Sequence, residues 1–362
     1  MRRVTARGRG ALFIGVLALA TVAACGGDDD NAGADESSTT VLGSTIAPTT
    51  TQPAAPGSEA PPATDAPVPV YPLTGLPVTD PVAAARPALV VKIDNNEKAR
   101  PQTGLNEADI VFEEIVEIQT RFAAVFHSQT ADPVGPIRSG RTQDIDLLGS
   151  FNQPLFMWSG GNAAVTRAIE DSDLVNLSAQ HTDVYQAAGF FRSDDRPNPH
   201  DLYASTTAGW TLAPEGAGPP QQQFSYRSAD DEPVGEPAAG CNGDMDGLAV
   251  GWTYDSSAGN YLRTTNGQPH MDVLSGQVRT ENVVVMFVEY RPSPADARSP
   301  EAQTIGTGEA WVFTGGVLVR GTWSRADRFS GVVLTDSSGQ LILLTPGRTF
   351  IELAKAGSYQ PT

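Results

Sequence analysis

The residues able to do chemistry crowd into one stretch, 88–146. An apolar run, Ala88 to Ile93, ends on Asp94-Asn95-Asn96. Glu113, Glu114 and Glu117 follow, with Arg100, Arg121, Arg138 and Arg141 among them. Carboxylates this dense suit a hard-cation site, an acid–base pair, or ion pairing with the arginines. On a strand, Glu113 and Glu117 share one face and Glu114 takes the other. No spacing among these groups is that of a metal site, so neither a metal nor a cofactor is expected.

Ser139 to Leu148 reads as a helix with Ser139 at its N-cap. Arg138 then precedes the cap and Arg141 sits in the first turn. The helix dipole disfavours cations there by about 0.3–1 kcal/mol each. A structural reading pairs Arg141 with Asp144, and Arg138 with Glu113 or Glu117. A functional reading has both guanidinium groups and the free helix amides hold an anion. Of the four histidines, His200 and His270 have the more distinctive settings, each beside an acid after a proline turn. There is no HExxH-like pair and no GxSxG elbow. The run Asn242 to Gly247 resembles the start of a calcium loop, but the twelfth position is Thr253 where a bidentate Glu is needed. A surface turn is expected there.

These side chains need elements to hold them. Ala88–Ile93 reads as a buried strand. Residues 110–118 and 121–128 read as two strands, with Gln119-Thr120 as the turn between them. Leu155–Trp158 and Leu174–Leu177 are further strands, and Asn162 caps a helix running to Asp171. Strands alternating with helices predict a mixed α/β domain over 71–215. Residues 216–247, rich in Pro, Gly and acid, form a connecting segment. Short strand-like runs, among them Leu341–Leu344, predict a mostly antiparallel β domain over 248–358. The fold class is therefore α+β.

The start of the chain is of another kind. Arg2, Arg3, Arg7 and Arg9 precede an apolar run from Ala11 to Ala24, too short to span a bilayer permanently. Val22-Ala23-Ala24-Cys25 resembles a bacterial lipobox. Residues 1–24 are thus expected to be a lipoprotein signal peptide, and Cys25 the site of lipid attachment. Two or three acyl chains would hold the protein firmly on a membrane. Residues 25–70 have the composition of a disordered tether, with a root-mean-square span of roughly 35–40 Å. Cys241 is the other cysteine, so with Cys25 lipidated no intramolecular disulfide can form. The formal net charge is −18; removing residues 1–24 takes away four arginines and no acid, which leaves −22. Such a chain lacks the basic footprint that nucleic-acid binding needs.

With these residues laid out, the chain resembles the YerB-like lipoprotein family of bacteria, a two-domain family of unknown function. The resemblance rests on VKIDN (Val91 to Asn95), ARPQTGL (Ala99 to Leu105), ADIVFE (Ala108 to Glu113), GPIRSGR (Gly135 to Arg141) and PHDLY (Pro199 to Tyr203). In the second half it rests on YLR (Tyr261 to Arg263), GQPHMD (Gly267 to Asp272) and PGRTF (Pro346 to Phe350). It covers about residues 72–355. Two positions depart from the family's pattern. Ile118-Gln119 stands where the family tends to have a glycine pair, and Asp201 where it tends to have Asn. The resemblance implies anchoring and architecture, and no reaction.

The expectation is a lipid-anchored protein on the extracytoplasmic side of the cell membrane. It would bind a polar or anionic envelope ligand, a glycan among them, or a partner protein. The expected binding set is Asp94, Asn95, Arg100, Glu113, Glu117, Arg121, Arg138, Arg141, His200 and His270. The alternative is a cell-wall or phosphoester hydrolase using Asp94, Glu113 and His200.

Overall fold

The computed structural model describes residues 68–228 and 230–362. The expected signal peptide, Cys25 and all but the last three residues of the expected tether lie outside the described residues. The described residues form one compact unit. No helix among the described residues is long and apolar enough to cross a membrane.

The body is built on an eleven-stranded mixed sheet. Its first-half strands are β1 (Leu89–Asp94), β2 (Ile110–Val116), β3 (Gln119–Phe126), β4 (Leu155–Trp158) and β5 (Val175–Ser178). They lie in the order β2-β3-β1-β4-β5. β1 is antiparallel to β3 and parallel to β4. The Thr349–Ala354 strand runs parallel to both β2 and Asn282–Phe287, so the two domains share one continuous sheet. Gly306–Thr314, Val317–Arg325 and Val333–Asp336 extend it antiparallel to the far edge. The architecture is α+β.

Every residue of β1 and β2 is buried, because both faces of the sheet are covered. On one face Leu89, Val91, Val111, Phe122 and Phe350 pack against Trp252, Tyr261 and Cys241 of a second, six-stranded sheet. On the other, Val90, Phe112 and Val125 pack under helices α2 (Gln143–Leu148) and α3 (Ala163–Glu170). The short α1 (Pro81–Ala85) is capped by the Asp80 side chain and precedes β1.

Several local expectations shift. The turn between β2 and β3 is Glu117-Ile118, and Gln119-Thr120 already belong to β3, in register with Val116 and Ile115. The exposed Ile118 stands at the tip. Glu117 therefore leaves the strand and shares no strand face with Glu113. The helix expected from Ser139 begins at Gln143, with Thr142 at its N-cap and no side-chain cap. Residues 137–139 are instead held alongside β1 and β4: the Arg138 amide donates to the Lys92 carbonyl, and the Ser159 amide to the Arg138 carbonyl. Arg138 and Arg141 thus lie outside the helix, and the first turn holds Asp144 and Asp146, as the dipole favours. Leu341–Leu344 forms no strand; Leu341 bridges Thr335 and Leu344 bridges Tyr226. The Asn162 cap stands as expected, its side-chain oxygen accepting the Ala164 and Val165 amides.

Candidate functional site

The sheet divides the expected binding residues between its two faces. Side chains alternate along a strand, so Asp94 and Asn95 point to opposite sides. Directly opposed residues of neighbouring strands share a face, so Arg121 lies on the Asp94 side and Glu113 on the Phe122 side.

On the α2 side, beyond the carboxyl ends of β1 and β4, Asp94 is fully buried. Its Oδ2 lies 2.7 Å from His200 Nδ1 and 3.1 Å from Arg138 Nε. Its Oδ1 accepts the Asn96 amide at 3.0 Å. Two loops must come close together to build this. The Ile137 amide donates to the Leu202 carbonyl, tying the Arg138 segment to the His200 loop. Gly135 permits the approach: at φ 148°, a Cβ there would meet the Leu202 carbonyl oxygen at 2.9 Å.

Arg121 lies on β3, in register with Asp94. It is 3% exposed, yet its guanidinium donates to a main-chain carbonyl, that of Ser139, at 3.0 Å. No carboxylate lies within ion-pairing distance of it among the described residues, and its Nε has no partner. Burial, then the charges of Arg141 and Arg138, push its pKa down to about 10. Arg141 places one nitrogen 2.7 Å from both oxygens of Glu117. That pairing keeps the Glu117 carboxyl below its usual value even though burial alone would raise it. Arg141 was expected to pair with the Asp144 side chain through its guanidinium; its main-chain amide makes that contact instead, at 2.7 Å. Arg138 pairs with Asp94 and not with Glu113 or Glu117. Beside these groups is a cleft of ≈ 240 Å³ lined by Glu117, Ser139, Arg141, Gly161, Asn162 and Asp296 among others.

Asn95, Arg100, Glu113 and His270 belong to a separate cluster between the two sheets. Glu113 Oε1 accepts from Asn95 at 3.0 Å and from the Thr120 hydroxyl at 2.5 Å. Its Oε2 pairs with Arg263, whose other terminal nitrogen lies 2.7 Å from Glu352 Oε1. Arg100 donates to the side chain and main chain of Asn95 at 3.0 and 2.7 Å. His270 is held between the Thr265 hydroxyl and Gln102, and burial with the nearby Arg263 charge keeps its pKa well below the usual value. It is neutral at neutral pH.

Two buried charge networks went unread in the sequence. Arg263 and Glu352 were singled out by nothing except a short shared motif in one case. Lys92 is fully buried between Glu114 at 2.5 Å and Asp144 at 2.6 Å. Gln143 donates to the second Glu114 oxygen. Burial and the Asp144 charge raise the Glu114 carboxyl to about 7. No group of His, Cys, Asp and Glu among the described residues is placed to hold a metal ion.

Comparison with known proteins adds a family to this geometry. Residues 73–217 match the N-terminal domain, and 244–351 the C-terminal domain, of a protein of unknown function (DUF3048). A Bacillus subtilis (strain 168) protein bearing the name "Putative lipoprotein YerB" is 28% identical over 297 residues, which is 78% of this chain and 85% of the relative. A crystal structure of the Bacillus subtilis YerB protein superposes with a TM-score of 0.69 at 24% identity, covering 81% of this chain and 99% of that one. The shared fold, and the two domain matches in the expected order, make this chain a member of the YerB-like lipoprotein family.

Proposed function

We propose that the chain is a lipoprotein anchored through Cys25 to the extracytoplasmic face of the cell membrane, and that its body binds an anionic envelope ligand beside Arg121, Arg138 and Arg141. The lipobox-like run before Cys25 and the printed name of the relative support the anchor. The observation that carries the binding reading is the lack of a counter-ion for Arg121. Arg138 pairs with Asp94 and Arg141 with Glu117, whereas the buried Arg121 has only the carbonyl of Ser139, a residue of the cleft wall, as partner. A buried charge without a counter-ion is costly. A phosphate or carboxylate in the cleft would supply the missing anion.

The test is calorimetric titration with glycerol phosphate. Replacing Arg138 and Arg141 together by Gln removes two charge-assisted hydrogen-bond donors, each worth about 1.5–3 kcal/mol. The double variant is expected to bind at least about 100-fold more weakly with an unchanged circular dichroism spectrum. Asp94 keeps the His200 ring and the Asn96 amide, so the fold should survive. Unfolding of the variant would make these arginines structural and end the binding reading.

One observation favours a second reading, a phosphoester or cell-wall hydrolase. The Asp94–His200 contact orients the ring through Nδ1, while Nε2 makes no hydrogen bond with a described residue. That is the arrangement of a general base steadied by a carboxylate. Glu113 drops out of the mechanism, because it lies on the other side of the sheet, paired with Arg263. Turnover of p-nitrophenyl phosphate that vanishes in His200→Gln would favour this reading over simple binding.

A further inference from the structure

A second surface lies at the far edge of the large sheet. The Val333–Asp336 strand ends the strand order there, seven strands from β1. At about 4.8 Å per strand that is roughly 34 Å from β1. Two clefts of ≈ 350 and ≈ 490 Å³ adjoin at Leu341 and Ile342.

The larger cleft is apolar on its floor. Val319 and Ile342 line it, with Val234, Leu341 and Leu343 exposed at 86%, 54% and 43%. Large aliphatic side chains gathered in a groove mark an interaction surface. Its rim carries Asp230, Asp231, Glu232 and Asp336 against a single cation, Arg227, whose guanidinium donates to the Thr314 hydroxyl. Asp231 accepts the Ser228 amide, and Asp336 accepts the amides of Ser338 and Gln340. No cation pairs with any of the four carboxylates among the described residues. The smaller cleft adds acceptors of another kind. The carbonyl oxygens of Gln222 and Gln223 both lie 3.8 Å from where a Cβ on Gly331 would sit, and neither accepts a hydrogen bond from a described residue.

We propose that this groove docks an extended segment of a partner protein that carries alternating basic and aliphatic side chains. The apolar floor takes the aliphatic side chains, and the rim and the open carbonyls take the ammonium or guanidinium groups. The four carboxylates outnumber the single Arg227 on the rim, and a cationic side chain complements that charge. A second copy of this chain does not fit, since its 42 acids against 24 basic residues would repel the rim.

Fluorescence anisotropy tests it, with a labelled heptapeptide of alternating Lys and Leu titrated by the full chain in a nonionic detergent. Saturable, salt-sensitive binding is expected. Val234→Ser with Leu343→Ser should weaken it by more than about tenfold, as loss of two buried aliphatic contacts implies. Asp230→Asn with Glu232→Gln should weaken it by a similar factor. All four side chains are exposed, so the thermal midpoint should not move. No saturable binding, or affinities in both variants within twofold of the native chain, would overturn the proposal, the latter because it would mean attraction to overall negative charge only. The outcome is independent of the arginine cleft, whose variants leave this groove intact.

Discussion

Arg263→Ala is expected to destabilise the body by about 3–5 kcal/mol, the usual effect of removing one partner from a buried ion pair. Arg263 is fully buried and is the only cation bonded to both Glu113 and Glu352 among the described residues. Its removal leaves two carboxylates facing one another between the sheets. Glu352 would keep a single donor, the Trp252 indole at 2.8 Å. The urea midpoint of the body at pH 7.5 measures the loss. Acid should rescue the variant in part. In the native chain burial, then the Glu113 charge, already raises Glu352 to about 8. A carboxyl whose folded pKa is raised contributes stability at low pH and loses it as pH climbs through that value. Native stability should therefore fall from about pH 4.5 to 8 and level off above, and Glu352→Gln should flatten that slope. Without Arg263 the carboxyl pKa values rise further, so the deficit at pH 6 should be smaller than at pH 8. A deficit that grows on acidification would contradict this account of the inter-sheet network.

Lys92→Met should cost a similar ~3–5 kcal/mol, and it should also reach the cleft. Lys92 neutralises Glu114 and Asp144, and the other Asp144 oxygen accepts the Arg141 amide. With Lys92 gone, two buried carboxylates repel one another and the loop carrying Arg141 loses its fixed support. Restoring the cluster's native net charge with Glu114→Gln should recover much of the stability, because the two carboxylates no longer repel and Gln143 and the Gln side chain can still hydrogen-bond. Chemical denaturation of the single and double variants checks this. The idea fails if the double variant is no more stable than Lys92→Met alone.

The strands were legible where a short apolar run is bounded by turn residues, as in Leu89–Asp94 and Leu155–Trp158. So was the Asn162 cap, which depends on local hydrogen bonding. The helix start was not, because long-range bonds from the Arg138 segment to β1 and β4 override a serviceable Ser139 cap. Clustering of charged residues near Asp94 was visible; their division between two faces was not. One residue of register decides which face a strand residue takes, and the β2–β3 turn came two residues earlier than its composition suggested. Partners such as Arg263 and Glu352 lie 150 and 239 positions from Glu113. No periodicity links such distant positions; only the pairing of β2 with Thr349–Ala354 and the stacking of the second sheet bring them together.

The central claim is that Arg121, buried beside the cleft wall at Ser139, is a cation awaiting an anion. Arg121→Met tests it most directly, since Met keeps the apolar stem and removes the charge. A guanidinium pushed down to about 10 disfavours the charged folded state at every lower pH. The measurement is the unfolding free energy of both proteins at pH 7.5, with and without glycerol phosphate. Without anion, Arg121→Met is predicted to be more stable than the native chain by about 1–2 kcal/mol, as for other uncompensated buried charges. With anion at about 100 times its dissociation constant, the native chain should gain about 2.7 kcal/mol and the variant much less. A variant that is destabilised without anion, or a native chain that phosphate does not stabilise, would show that Arg121 is satisfied by the protein alone.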